Sequence, residues 1–257
     1  GANTYTGTTT ITNGTLQVAG GGQLGGPIVD HGSLVFNGSG VATVSGVVSG
    51  TGSLTQAGSG TTVLTGANTY TGGTTIASGT LQIGDGGTTG QLGPGSLVNN
   101  GVLAINRSDT VTLDGVLSGT GALAQIGTGT TILTAANKYE GGTTITAGTL
   151  QVGTGGTSGQ LGGGGIVNDG VLAIYRSDEV TLSNDISGTG TLAQIGTGTT
   201  ILTGNNTSSG ATVIAAGVLQ VGNGGTTGGL GTSDVFNQTA LVFNRSGSLA
   251  VPGAISG

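Results

Sequence analysis

A seven-residue block returns along this chain at nearly constant spacing. Gly1-Ala2-Asn3-Thr4-Tyr5-Thr6-Gly7 matches Gly66-Ala67-Asn68-Thr69-Tyr70-Thr71-Gly72 and then Ala135-Ala136-Asn137-Lys138-Tyr139-Glu140-Gly141. Gly204-Asn205-Asn206-Thr207-Ser208-Ser209-Gly210 is a looser fourth copy. The copies thus start at positions 1, 66, 135 and 204. Self-similarity at a long fixed period marks a repeat architecture, in which each unit buries its apolar side only against its neighbours. The units run approximately 1–65, 66–134, 135–203 and 204–257, the last partial, and read as one continuous array. The chain starts and stops inside its repeat, as expected of a piece of a longer array.

Shorter repeats lie within each unit. Leucine recurs at positions 16, 81, 150 and 219, at 34, 103, 172 and 241, and at 54, 123 and 192. Taken in chain order, as at 81, 103, 123 and 150, these leucines are unevenly spaced, and three intervals make up one complete unit. Apolar residues alternate around them, as in Leu16/Val18, Leu34/Phe36 and Leu103/Ile105, which is the period of a strand. Thr, Val and Ile fill the runs and Gly separates them, leaving no uninterrupted stretch long enough for a helix. The expectation is an all-β fold, a right-handed parallel β-helix (β-solenoid) of roughly 11 coils averaging about 23 residues, three coils per unit. The leucines would stack as an interior ladder in a rod about 50 Å long.

Glycine accounts for 60 of the 257 residues, against only 3 prolines and no three-residue period, which excludes collagen. Regular Leu, Val and Ile exclude a flexible linker. In a solenoid, glycine would mark the many turns that need positive φ. Charged residues are 5% of the chain and the net charge is −6, so nothing resembles a basic nucleic-acid surface, and anionic lipid is not a favoured partner. Cys is absent, which excludes a disulfide framework and thiol chemistry. No apolar run is long enough for a membrane-spanning helix, and no alternating strands with aromatic girdles suggest membrane insertion as a barrel.

The segment from Leu64 to Ile76 (Leu-Thr-Gly-Ala-Asn-Thr-Tyr-Thr-Gly-Gly-Thr-Thr-Ile), ending in Gly79-Thr80-Leu81-Gln82-Ile83-Gly84, resembles the autotransporter-associated β-strand repeat, also called the passenger-associated transport repeat. The match recurs from Leu133 to Gly153, with Lys138 and Glu140 as departures, and from Leu202 to Gly222, with Ser208 in place of Tyr. The resemblance implies a surface-exposed passenger segment of a Gram-negative type V secretion system, exported across the outer membrane. It also implies partners outside this chain, namely a translocator barrel and the outer-membrane assembly machinery. Passengers of this kind often act in adhesion or aggregation, so a glycan or a second copy is a further expected partner. The primary expectation is a non-catalytic segment whose stacking coils support export and present other regions; the alternative is an adhesin-type binding surface.

Candidate sites are few. Arg107, Arg176 and Arg245 occupy one repeat position, with Asp109 and Asp178 two residues after the first two. Three coils apart on a solenoid, these arginines would form a file about 14 Å apart along one edge, able to contact an extended anionic glycan or partner. The competing reading is a solvated loop with local Arg–Asp pairs. Tyr70 and Tyr139, like Tyr5, share a repeat position and could offer a stacking stripe for sugar; the competing reading is that each covers part of its own coil while its hydroxyl reaches water. His31, in Asp30-His31-Gly32, aligns with Asn100 and Asp169 and reads as a turn residue. Acidic residues are too sparse for a Ca²⁺ site, and Asp178 and Glu179, adjacent on a strand, would face opposite ways, unlike a hydrolytic carboxylate pair. No enzyme activity, metal or cofactor is expected.

Overall fold

Strands are short because glycine-rich corners interrupt them every few residues. The computed structural model describes residue 3 and residues 5–257. Among these, every regular element is a strand of two to four residues, and every strand pairing is parallel. The strands stack in coils, giving a parallel β-solenoid of about 12 turns. The apolar residue at alternate positions points inward, and Leu34, Leu54, Leu81, Leu103, Leu123, Leu150 and Leu172 are all fully buried in one continuous core.

The register corrects the expected coil. Leu16 stacks on Leu34 and Leu34 on Leu54. Leu81 stacks on Leu103 and Leu103 on Leu123, and likewise Leu150, Leu172 and Leu192 form a ladder. These ladders belong to three different sheets, however. The long interval from Leu123 to Leu150 is not a coil step: Leu123 pairs with Thr143, and Leu150 pairs with Thr131. Averaging that interval with the true steps made the expected coil too long. The recurring step is that of Ser33 to Ser53 and of Leu103 to Leu123, with Leu16 to Leu34 a shorter variant and Thr74 to Leu97 a longer one.

The geometric reason is a count of strands. Eight strands lie between Thr74 and Leu133, and segments around Ala67 and Gln91 pair through an isolated bridge, making ten strand positions in the second unit. A coil uses three. One unit therefore winds three and one third coils, and each unit is rotated by a third of a turn from the last. Equivalent residues of successive units lie on successive faces of the rod.

Glycine serves two purposes. Among the described residues, only glycine adopts positive φ. Gly79 (φ 65°) turns the corner between Thr74–Ile76 and Thr80–Ile83. Many other glycines have ordinary φ and are required by stacking: a Cβ on Gly127 would lie 2.3 Å from the backbone of Arg107 in the coil beneath. The expectation that glycine marks left-handed turns covers only the first group. At the corners, backbone rests directly on backbone.

Candidate functional site: a buried polar lock between coils

Asn68 and Tyr70 of the repeated block, and Gln56, Thr62 and Thr74 around it, are buried polar side chains. Asn68, Thr62, Gln56 and Thr74 are each at most 4% exposed, and Tyr70 is fully buried. A buried polar group without a partner is costly, so where these hydrogen bonds go decides what the block does. Gln56, at the end of strand Ser53–Gln56, donates Nε2 to the carbonyls of Gly58 (2.9 Å) and Gly60 (3.2 Å) and accepts the Thr62 hydroxyl at 2.5 Å. This closes the corner into the next strand. Gln125 with Thr131 and Gln194 with Thr200 repeat the arrangement.

Asn68 acts between coils. Its Oδ1 accepts the amide of Val48, in the preceding coil, at 2.8 Å. Its Nδ2 donates to the carbonyl of Gln91, in the following coil, at 2.8 Å. One side chain thus joins the coil beneath to the coil above, where the backbone ladder is incomplete. Asn137 does the same between Leu117 and Gln160, and Asn206 between Ile186 and Gly229.

Tyr70 and Tyr139 lie inside the rod, which removes them as surface contacts and corrects the expectation that their hydroxyls reach water. The hydroxyls instead bond Thr74 at 2.6 Å and Thr143 at 2.7 Å. Burial pushes the Tyr70 phenol up to about 12, against the opposing Thr74 bond, and raises Tyr139 in the same direction. Tyr5, in the first of the described coils, is 43% exposed. The tyrosine is an interior wedge wherever coils lie on both sides.

The arginines do not form a file. Arg107 follows a strand of the nine-stranded sheet, Arg176 one of the eight-stranded sheet and Arg245 one of the four-stranded sheet, so they stand on three edges. The one-third turn per unit is the cause. Arg107 binds both oxygens of Asp109 (2.8 and 2.7 Å) and also donates to the carbonyl of Gly90, closing the loop 84–90 beneath it. Arg176 repeats this with Asp178 and Gly159. The guanidinium bonds hold the Asp109 and Asp178 carboxyls below the ordinary value of 3.8. Arg245, which lacks an Asp, donates to the carbonyls of Gly228 and Thr226. His31 Nδ1 lies 3.2 Å from the Thr51 hydroxyl, at the turn position where Asn100 accepts the Thr120 amide.

Two clefts recur one unit apart. One of about 260 Å³ lies between Gln91–Leu97 and Val111–Leu117; the other, about 430 Å³, is lined by Asn137, Lys138, Gln160, Arg176, Glu179 and Asn184. Among the described residues no three His, Asp or Glu side chains come together in a metal-binding group.

Residues 1–18, 54–83, 123–152 and 192–221 match the passenger-associated-transport-repeat family. The chain carries passenger-associated transport repeats. It is also 40% identical over 166 residues to the Adhesin BmaC autotransporter of Brucella suis biovar 1 (strain 1330), an alignment covering 57% of this chain and 5% of that protein. The chain therefore spans only a small part of the adhesin's length. No solved structure matches.

The boundaries of the passenger repeat acquire a meaning in the fold. In repeat 54–83, strand Ser53–Gln56 pairs with Thr74–Ile76, and Thr61–Leu64 pairs with Thr80–Ile83. In 123–152, Leu123 pairs with Thr143 and Thr130 with Thr149; in 192–221, Leu192 pairs with Thr212 and Thr199 with Val218. Each complete passenger repeat is a stretch whose first two strands pair with its last two. It closes a full coil on itself, with the Gln–Thr corner inside it in all three and the Tyr–Thr bond inside it in 54–83 and 123–152, where 192–221 has Ser208 instead of Tyr.

Proposed function

We propose that this chain is a non-catalytic structural and secretory segment of a surface-exposed autotransporter passenger, in which coil closure outside the cell supports export. The observation that carries the reading is the self-pairing of each repeat. A single repeat emerging from a pore can form one coil from its own strands, without waiting for the next repeat. Nearest-neighbour stacking then adds each new coil to one already folded and opposes back-sliding. The translocator barrel and assembly machinery would be its partners in that step, and the cell surface its destination. The test is surface display of this chain fused to a translocator barrel. Replacing the inward Leu133 by Asp, which blocks coil closure in the second complete repeat, is expected to reduce display sharply, while the outward Thr144→Asp is not. Equal display of both variants would remove coil closure from export.

The second reading is an adhesin-type surface for glycan or self-association, as the name of the Brucella relative invites. The nine-stranded sheet favours it. Its strands carry no charged residue, and outer positions such as Val41, Thr43, Thr61, Thr144 and Val167 form an uncharged face about 40 Å long. The arginines, each engaged with its own loop on a separate edge, add little to such a face. Self-association of beads coated with the chain, abolished by Thr144→Asp, supports this reading; inert beads count against it.

A further inference from the structure

Each unit has a turn just before its second leucine strand, and in two units an asparagine clamps it. Asn99 Nδ2 donates to the carbonyl of Ala122 in the next coil at 2.8 Å, while its Oδ1 accepts the Gly101 amide at 3.1 Å. Asn168 Nδ2 donates to the carbonyl of Thr191 at 2.9 Å. The first unit has Asp30 at this position. Asp30 is fully buried, its Oδ1 accepts the Gly32 amide at 2.9 Å, and its Oδ2 has no partner. The pairing of Ser33 with Ser53 repeats that of Val102 with Ala122, so the carbonyl corresponding to that of Ala122 is Ser53. An ionised Oδ2 would set a carboxylate against a carbonyl with no donor between them, away from water.

We propose that Asp30 keeps its proton in the folded coil and donates it to the Ser53 carbonyl, making this turn a pH-dependent clamp between the first coils. The clamp is closed while the acid is protonated and loosened when it ionises. The asparagines in the later units make the same bond at every ordinary pH.

Little else around Asp30 can titrate. Strands Thr9–Ile11, Thr15–Val18, Ser33–Phe36, Val48–Ser49 and Ser53–Gln56 and the turn Gly50–Gly52 pack around it without a single Asp, Glu, Lys, Arg or His. Along the chain before Asp85, Asp30 and His31 are the only side chains other than tyrosine able to carry charge. Burial pushes the Asp30 carboxyl above its ordinary 3.8, outweighing the Gly32 amide and the neighbouring His31, which both favour the ionised form. A raised folded value means that the clamp's contribution is complete below 3.8 and is lost as pH rises through the raised value.

The test is amide hydrogen exchange on the full chain, with protection at Gly32, Gly52 and Ser53 corrected for the intrinsic effect of pH. In the wild type, protection at these amides falls by about tenfold per pH unit above the ordinary carboxylate value, until the acid is ionised. Asp30→Asn removes this slope and exceeds the wild type in protection at neutral pH. His31→Asn, which keeps an acceptor for Thr51, extends the slope to higher pH because the charge favouring ionisation is gone. Amides around Asn99 and Asn168 serve as internal controls without a slope. The infrared carbonyl band of a protonated carboxyl should also persist in the wild type just above the ordinary carboxylate range and vanish in Asp30→Asn. A flat wild-type profile, a slope surviving in Asp30→Asn, lower neutral-pH protection in that variant, or absence of the band would each overturn the proposal.

Discussion

Replacing Asn137 by Ala tests the lock between coils most directly. Asn137 is 2% exposed and bonds the Leu117 amide and the Gln160 carbonyl, both at 2.9 Å. Truncation orphans both backbone groups. The Leu117 amide is buried and bears the full cost of a lost partner, about 1–3 kcal/mol. Gln160 is exposed, and water recovers part of the loss at its carbonyl. The expected cost is about 2–4 kcal/mol in all, confined to the neighbouring coils because a solenoid couples only nearest neighbours. Amide exchange reads this locally: protection at Leu117 should fall roughly thirty-fold to several-hundred-fold while that at Leu54, several coils away, is unchanged. Asn137→Asp offers a graded comparison. It can still accept from Leu117 but cannot donate to Gln160 unless protonated, so it should be at least as damaging at neutral pH. If Asn137→Ala leaves Leu117 protected within a factor of two of wild type, the asparagine is not a staple and the backbone alone holds the coils.

The remaining expectations concern the wedge, the loop and the unit. Tyr139→Phe should cost about 1–3 kcal/mol by orphaning the buried Thr143 hydroxyl, and adding Thr143→Val should recover part of that in denaturant unfolding. Because the Tyr70 phenol is raised from 10 to about 12, its contribution is complete below pH 10 and is lost between there and about pH 12, which ultraviolet titration of phenolate alongside circular dichroism would detect. Arg107→Ala should expose the loop 84–90 to proteolysis while strand amides stay protected; in the wild type, the Asp109 contribution is present above 3.8 and lost as pH falls through its lowered value. Deleting residues 66–134 should leave a cooperative rod shorter by about 16 Å, readable by small-angle scattering, because Ala135 then meets the equivalents of its native neighbours. Collapse of that deletion would contradict the ten-strand unit.

The repeat, the strand character, the inward leucines and the absence of helices were legible in the chain because they are local: period-two alternation and glycine spacing need no knowledge of what stacks on what. The coil was harder to read. Leu123 and Leu150 look like neighbours in a leucine series, yet each stacks on a threonine, Thr143 and Thr131 respectively, and only pairing register distinguishes a rung from a change of face. That distinction moved Arg107, Arg176 and Arg245 from one edge to three. It also turned Tyr70 and Tyr139 from candidate surface residues into buried wedges, since a side chain's exposure in a solenoid depends on the coils above and below it. The same blocks of sequence thus determine a stacked β-rod on their own. Which face each block occupies, and what its asparagine and tyrosine touch, was decided in three dimensions, because ten strands do not divide evenly into coils of three.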